Sequence, residues 1–305
     1  MLTSQYNFCK ICGEEVKEAD HYWTQHDLSQ KKYFQKFYPK LNKLTNEPLE
    51  FKNKEQYLLN EFNNRSELQK WTKSVDKSLV YDYLVNYLNK RKELKGITNI
   101  PGFLESKTLI IPNPSYLMLT FGAEVWARLE KDTGLKAKYN YEDLIIKKKK
   151  LLIKVDNREQ RPLTFLGHDT EFGTIKQGDY SIKDSKIVVD RKMLSDGLNT
   201  LSKGFDRFKR ELARAEKAGE YLIMLIEEKF SNLESFEYLP HTKYTKTNKD
   251  FIFHRIRELL QEFNNFQVCC VDGRLQAAET IVNIFNLEND IHKIDLQYYI
   301  EKGLI

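Results

Sequence analysis

Lys186-Ile-Val-Val-Asp190-Arg191-Lys192-Met-Leu-Ser-Asp196 is the stretch whose reading decides the fold. Its β-branched opening favours a strand, and that strand delivers a carboxylate, two cations and a further acid in quick succession. Successive strand side chains alternate faces, so Asp190 and Lys192 share one face and Arg191 takes the other. Such a strand end is where a metal-dependent nuclease would keep its chemistry.

Two more acids lie at or just inside apolar β-runs in the same half of the chain. Asp156 follows Leu151-Leu-Ile-Lys-Val155, and Asp179 sits in Gly178-Asp179-Tyr180. Mg²⁺ takes hard oxygen ligands and keeps several waters, so two or three carboxylates plus a substrate phosphate suit it. On this reading metal-activated water hydrolyses a phosphodiester, and Lys192 orients that water or neutralises charge on the phosphate. Apolar patterning predicts strands near 151–156, 172–182, 186–191, 221–227 and 266–271, with helices over 196–217, 249–263 and 275–285. Antiparallel strands followed by βα units predict an α/β nuclease domain over 151–305, a mixed sheet covered by helices. Leu198, Leu201, Phe205, Phe208 and Leu212 share one helix face and are expected in the core. Lys203, Lys209, Arg210 and Arg214 fall largely elsewhere, as a solvated face or as phosphate contacts. The stretch 231–248 reads as a long polar loop.

The first half carries different signals. Cys9-x2-Cys12-x8-His21-x4-His26 puts two thiols and two imidazoles close in sequence, enough for closed tetrahedral Zn²⁺ coordination. So short a segment cannot bury a stable core, and a structural zinc would supply much of its folding free energy. The gap of eight residues is shorter than the usual twelve or about that, which predicts a compact finger over 1–44. In the basic, aromatic stretch that follows, Lys31, Lys32, Lys36 and Lys40 favour phosphate contact, with a solvated charged helix as the alternative. Leu68, Trp71, Val75, Leu79, Leu84 and Leu88 recur at helical spacing and predict at least two helices. Pro114 to Gly122 and Ala123 to Thr133 read as two short helices joined at Gly122, a helix-turn-helix-like unit within a helical region over 45–140. A basic linker over 141–150 ends in Lys147 to Lys150.

Composition fits this division. A chain of 305 residues has room for two or three units, one with a sizeable core. A formal net charge of +5 is a mild bias that permits a polyanionic partner without requiring one. Aromatics at 12% exclude wholesale disorder. The pairs Cys9/Cys12 and Cys269/Cys270 do not make a secreted disulfide framework. With no charged-then-apolar leader and no run of about 20 apolar residues, the chain is expected in a reducing compartment, with no membrane partner.

The ordered acids resemble those of the XPF-type structure-specific endonucleases, a branch of the PD-(D/E)XK nuclease superfamily, over roughly residues 151 to 287. That family's Asp-x-Arg-Glu is matched by Asp156-Asn-Arg158-Glu159, and its Gly-Asp-Tyr by Gly178-Asp179-Tyr180. Its Glu-Arg-Lys-x-x-x-Asp is matched by Asp190-Arg191-Lys192-Met-Leu-Ser-Asp196, with Asp in place of Glu, a change that leaves room for altered metal preference. Gly204-Phe-Asp-Arg207-Phe208 is similar to its Gly-Arg-Phe segment with an insertion, and Tyr221 to Glu227 to its following strand. The resemblance implies Mg²⁺- or Mn²⁺-dependent cleavage of DNA. Asp179 and Asp190 would be the metal ligands with Lys192 beside them, and Asp156 and Glu159 would add ligands or support. Arg158, Arg191 and Arg207 are the expected contacts to DNA.

No helix-hairpin-helix tail is read before Ile305, so branch specificity does not come with the resemblance. The finger resembles short fingers of bacterial and phage regulators, in which a Cys-x-x-Cys knuckle leads into a helix bearing both histidines. Residues 112–135 resemble the small helical repeat attached to many homing endonucleases, although two extra residues separate Gly122 from Trp126. Together these imply a DNA endonuclease in the cytoplasm of a bacterial or phage-infected cell, site-specific in the homing manner or specific for branched DNA in repair or recombination. A homodimer would let it cut both strands. A DNA-binding regulator with a decayed nuclease fold is the alternative, and the presence of Asp156, Asp179, Asp190, Lys192 and Asp196 stands against it.

Overall fold

Short polar side chains set the helix starts of the first half. The computed structural model describes residues 6–18, 20–51, 53–141, 146–235, 238–240 and 246–305. The chain splits into two units, Met1–Ile100 with Leu109–Ala137, and Pro101–Thr108 with Lys138–Ile305. The first unit holds α1 (His21–His26), α2 (Gln30–Phe37), α3 (Lys54–Leu59), α4 (Arg65–Ser74), α5 (Lys77–Lys95), α6 (Pro114–Phe121) and α7 (Val125–Thr133). Two short strands, β1 (Asn99–Ile100) and β2 (Lys136–Ala137), pair in parallel. Ser29, Asn53, Asn64, Asp76 and Asn113 each accept a backbone N–H from the first turn of the helix they precede. Gly96 and Gly134 close α5 and α7 in the left-handed conformation. Two helices, α4 and α5, fill the stretch from Leu68 to Leu88 read as at least two. Leu68, Trp71, Leu84 and Leu88 are buried there, whereas Leu79 is exposed. Gly122 joins α6 to α7 as expected.

The finger does have a core of its own. Cys9, Tyr22, Tyr33, Phe34, Phe51 and Tyr57 are buried together, with Tyr22 and Tyr33 stacked at 4.0 Å between centroids. Phe51 and Tyr57 come from beyond residue 44, so the expected edge of the finger runs through this cluster. Lys40 is not a phosphate contact: its ammonium donates to the carbonyls of Tyr57 and Asn60, and burial pulls its pKa down to about 8.

The second unit is built on β3 (Leu152–Asp156), β4 (Asp169–Gly173), β5 (Tyr180–Ile182), β6 (Ile187–Met193), β7 (Tyr221–Glu227) and, after the hairpin strands β8 (Tyr238–Pro240) and β9 (Lys246–Asn248), β10 (Phe266–Cys270). Its helices are α8 (Leu194–Leu201), α9 (Phe205–Lys217), α10 (Phe230–Ser235), α11 (Lys249–Glu262), α12 (Gly273–Leu287) and α13 (Leu296–Glu301). Six strands form one mixed sheet in the order β10-β7-β6-β5-β3-β4. β10, β7 and β6 run parallel, β5 is antiparallel to both β6 and β3, and β4 is parallel to β3. This is the α/β mixed sheet that the sequence predicts. Tyr221 through Ile226 are buried on both faces of β7, as a near-continuous apolar run in a parallel strand should be.

Three expectations need correction. The strand expected over 172–182 is two strands, since β4 ends at Gly173 on the sheet edge and the chain loops back through Gly178 before β5 begins. The helix expected over 196–217 is broken at Ser202–Gly204, where the Gly204 N–H donates to the Asn199 carbonyl and a Cβ would sit 3.2 Å from that oxygen. Its apolar face is nonetheless the expected one, with Leu198, Leu201, Phe205, Phe208 and Leu212 all buried. The stretch read as a polar loop contains α10 and the β8–β9 hairpin; residues 236–237 and 241–245 lie outside the described residues. Among the described residues no helix is long and apolar enough to cross a membrane.

Asp295 ties the segment 101–108 into this unit. Buried, it accepts the Phe103 N–H at 2.7 Å, the Tyr141 hydroxyl at 3.2 Å and the Tyr298 N–H that begins α13 at 3.1 Å. Asp295→Ala would leave two buried N–H groups unpaired, each costing about 1–3 kcal/mol. Urea denaturation is expected to show a loss of about 2–4 kcal/mol, and an unchanged midpoint would remove Asp295 from the interactions that hold the unit together.

Candidate active site

β6 sets the site. Asp190 and Lys192 leave it on one face, and the Lys192 ammonium pairs with an Asp190 oxygen at 2.9 Å. Burial works against the charge on Lys192, but Asp190, with Asp179 and Glu211 beyond it, outweighs burial and raises its pKa. The amine is charged at neutral pH.

Gly178 turns the chain onto β6. Its φ is +74°, and a Cβ there would come within 3.0 Å of the Val189 carbonyl oxygen, so a side chain at this position is strained. The next residue is held on three sides. The Asp179 N–H donates to Val189 O at 2.8 Å, the Asp179 carbonyl accepts the Asp156 N–H at 2.9 Å, and a carboxylate oxygen accepts the Arg191 N–H at 2.8 Å. Burial first, and the neighbouring Asp190 charge second, push the Asp179 carboxyl up to about 7. With Asp190 beside it, Asp179 offers carboxylate oxygens to a donor set that a hard divalent cation fits.

Arg191 faces the other way, as strand alternation predicts, but it does not face solvent. Its side chain is 7% exposed and pairs with Glu227 at 2.8 Å and Glu159 at 3.1 Å, while also donating to the Arg161 carbonyl. The expected DNA contact is therefore a buried strut, and Glu159 is its partner. Asp156 is likewise occupied. One oxygen accepts the Arg158 N–H and Nε–H, and the other accepts the Ile175 N–H at 2.7 Å and an Arg158 NH2 hydrogen. The Arg158 side chain, chiefly, holds the Asp156 carboxyl at about 2. With every lone-pair direction in use, Asp156 braces the turn after β3. Arg158 keeps 70% of its side chain exposed despite that pairing, and Arg207 is exposed on α9.

Glu211 went unread in the sequence. It lies three residues after Phe208 on the flank of the buried stripe of α9, half-buried, and its carboxyl is raised first by burial and then by Asp190. Helical periodicity places it at the edge of the apolar face. Its proximity to Asp190 depends on how α9 packs against the sheet, which no local pattern encodes.

The second cluster lies in the first unit. Phe8 and Glu15 bridge across a turn in which Gly13 takes φ +77°, and this brings Cys9 and Cys12 together; α1 carries His21 and His26 at its two ends. Cys9 Sγ is 3.3 Å from His26 Nε2, Cys12 Sγ is 3.6 Å from His21 Nε2, and all four ligand atoms lie within 4.8 Å of one another. Zn–S near 2.3 Å and Zn–N near 2.0 Å give a regular tetrahedron S···N edges of about 3.5 Å, so the four residues fit zinc. Burial pushes the Cys9 thiol up, but N–H groups of Cys12 and Ile11 directed at its sulfur bring it down to about 6. On α2, Lys32 and Lys36 are exposed and Lys31 is half-buried.

Residues 155–284 match the family model of the ERCC4 domain, a stretch that includes Asp156, Asp179, Asp190, Lys192 and Glu211. Among solved structures the chain is similar to XPF from Aeropyrum pernix, with 19% identity over 44% of this chain and 59% of that one and a TM-score of 0.35. It is also similar to XPF from Aeropyrum pernix in complex with DNA, with 18% identity over 50% and 66% and a TM-score of 0.34. The chain thus spans less than two thirds of each of these two structures. No curated protein matches it. The match to the ERCC4 domain lies within the second unit and does not include residues 112–135.

Two outcomes follow from the geometry. The folded pKa of Asp179 lies above its ordinary value, so the stability it lends is whole below about pH 4 and is lost as pH rises through about 7. Asp179→Asn is expected to raise the melting temperature of protein without added Mg²⁺ more at pH 8 than at pH 5, and equal shifts at both would refute the assignment. For the finger, elemental analysis is expected to find one zinc per chain, and Cys9→Ser to lose both that zinc and the near-ultraviolet dichroism of the aromatic cluster. A variant that keeps both would show that the four residues do not bind the metal.

Proposed function

We propose that this chain is a divalent-metal-dependent DNA endonuclease that cuts branched DNA, with Asp179 and Asp190 as the ligands of Mg²⁺ or Mn²⁺ and Lys192 as the cation beside them. The observation that carries this reading is the convergence of Asp179, Asp190 and Lys192 within a sheet unit that matches the ERCC4 domain. A bound cation would supply Lewis acidity to the scissile phosphate and a more acidic water. Lys192, charged and oriented by Asp190, donates to a phosphate oxygen as negative charge builds there. Asp179 must shed its proton for the site to load, so activity rises with pH around neutrality.

The remaining residues divide into support and grip. Asp156 and Glu159 act as support, the first by bracing the turn after β3 and the second by anchoring Arg191. Arg158 and Arg207, with Lys31, Lys32 and Lys36 of the zinc finger, are the phosphate contacts of this reading. One site cuts one strand, so a double-strand break takes two copies or two successive nicks. Site-specific cleavage of the homing kind is the second reading, favoured by the α6–α7 pair joined at Gly122.

Incubation of the full chain with labelled linear duplex, flap, fork and four-way-junction DNA in Mg²⁺ or Mn²⁺ separates these readings. Cleavage at the branch point is expected, falling by three orders of magnitude or about that in Asp190→Ala, the scale of one lost transition-state contact or more. Cutting of linear duplex at a fixed sequence would favour the homing reading. Tight binding with no cutting of any substrate would favour a DNA-binding regulator.

A further inference from the structure

The loop that follows β3, Asn157 to Leu163, carries an arginine whose side chain neither the site nor the fold uses. The backbone of Arg161 is fixed at both of its bonding groups. Its N–H donates to Glu159 Oε1 at 2.8 Å, and its carbonyl accepts from Nη2 of both Arg191, at 3.0 Å, and Arg274, at 3.1 Å. The same Arg274 nitrogen donates to the Pro162 carbonyl at 2.9 Å, and the Leu163 N–H donates to the hydroxyl of buried Tyr180 at 3.1 Å. Pro162 adds a restriction of its own, since a proline disfavours the helical conformation in the residue before it. The Arg161 side chain is exposed, and among the described residues no carboxylate pairs with its guanidinium. Arg274, on the first turn of α12, is exposed as well, and its bonds among the described residues go to carbonyls.

Charge and position both single out this arginine. Arg191 is matched by Glu159 and Glu227, and Asp272 is the partner of Lys229 at 3.7 Å, so Arg161 and Arg274 are a positive excess. Arg191 also sets the loop against the site. Its side chain holds the Arg161 carbonyl and its backbone N–H holds the Asp179 carboxylate, so Arg161 stands one arginine side chain away from a candidate metal ligand. A guanidinium on a locked backbone loses less freedom on engaging a ligand than one on a free loop, and its planar donors match a phosphate. We propose that Arg161 grips a DNA phosphate near the one to be cut, and that Arg274 is the positioning residue that holds Arg161 there. The inference rests on the reading of this chain as a DNA nuclease and adds to it a residue that sets register. A phosphate contact carries no sequence information, so this arginine fixes which phosphodiester enters the site on DNA of any sequence.

The test is a salt titration of the binding of the full chain to fluorescein-labelled linear duplex, without added Mg²⁺. Arg161→Ala is expected to weaken binding to duplexes of unrelated sequence alike and to leave the melting temperature unchanged. It should also flatten the slope of log K against log salt by about 0.9, the share of one phosphate. Arg274→Ala is expected to flatten the slope by a similar amount, and the double variant to go no further than either single one. Arg274→Lys, whose ammonium can still donate to both carbonyls, should restore the wild-type slope. A wild-type slope in Arg161→Ala would overturn the contact. A flattening of about 1.8 in the double variant would overturn the positioning role, because Arg274 would then be a second contact. A lowered melting temperature of Arg274→Ala with an unchanged slope would overturn it too, leaving the clamp a matter of stability. Because binding is read without the metal, a chain that shows these slopes and cuts nothing keeps the contact and loses the nuclease reading. One that cuts DNA while Arg161→Ala keeps the wild-type slope does the reverse.

Discussion

Arg191 is the constraint on which the second unit depends. Its guanidinium lies between Glu159, just past the end of β3, and Glu227, at the end of β7, and also reaches the Arg161 carbonyl. Its backbone N–H meanwhile holds the Asp179 carboxylate. One residue therefore fixes two strand ends, one turn and one of the two candidate metal ligands. Breaking a buried ion pair costs about 3–5 kcal/mol because the surviving charge is left uncompensated, and here two carboxylates would be left at once. That is a strong reason for an arginine at this position, where lysine could not bridge two acids and a carbonyl in one plane.

This arrangement explains where the sequence could be read and where it could not. Strand alternation correctly separated Asp190 and Lys192 from Arg191, because that depends only on the pleat. What covers each face is another matter. The carboxylates that enclose Arg191 lie 32 and 36 residues away in the chain, so an arginine flanking the site read as a phosphate contact is in fact internal. The same limit applies to Asp156, whose carboxylate is saturated by Arg158 and by a backbone N–H of Ile175, 19 residues on. Glu211 shows the converse error, a residue with no local motif brought beside Asp190 by helix packing.

The Cys/His cluster was more legible because its four residues are local and their spacing limits the geometry. The aromatic core beneath it was not, since Phe51 and Tyr57 arrive from a segment with no metal signal. Backbone conformation was legible in part. Gly122 announced a helix junction, whereas Gly204 broke a helix whose apolar period runs on through the break, a case in which the pattern of burial survives and the continuity of hydrogen bonding does not.

The electrostatics of the sheet unit separate what favours folding from what favours chemistry. Asp156 and Glu159 have all they need from the protein, so their charges contribute to the fold. Asp179 does not: burial and Asp190 hold its carboxyl near neutrality, and Lys192 can offset only part of that repulsion. A protein under selection for stability alone would place an asparagine there and keep the hydrogen bond to Arg191 N–H. Keeping an aspartate leaves the pair short of positive charge, a shortfall that a divalent cation would make up. Gly178 belongs to the same logic, since a Cβ there would press on the Val189 carbonyl and strain the turn that sets Asp179 beside Asp190.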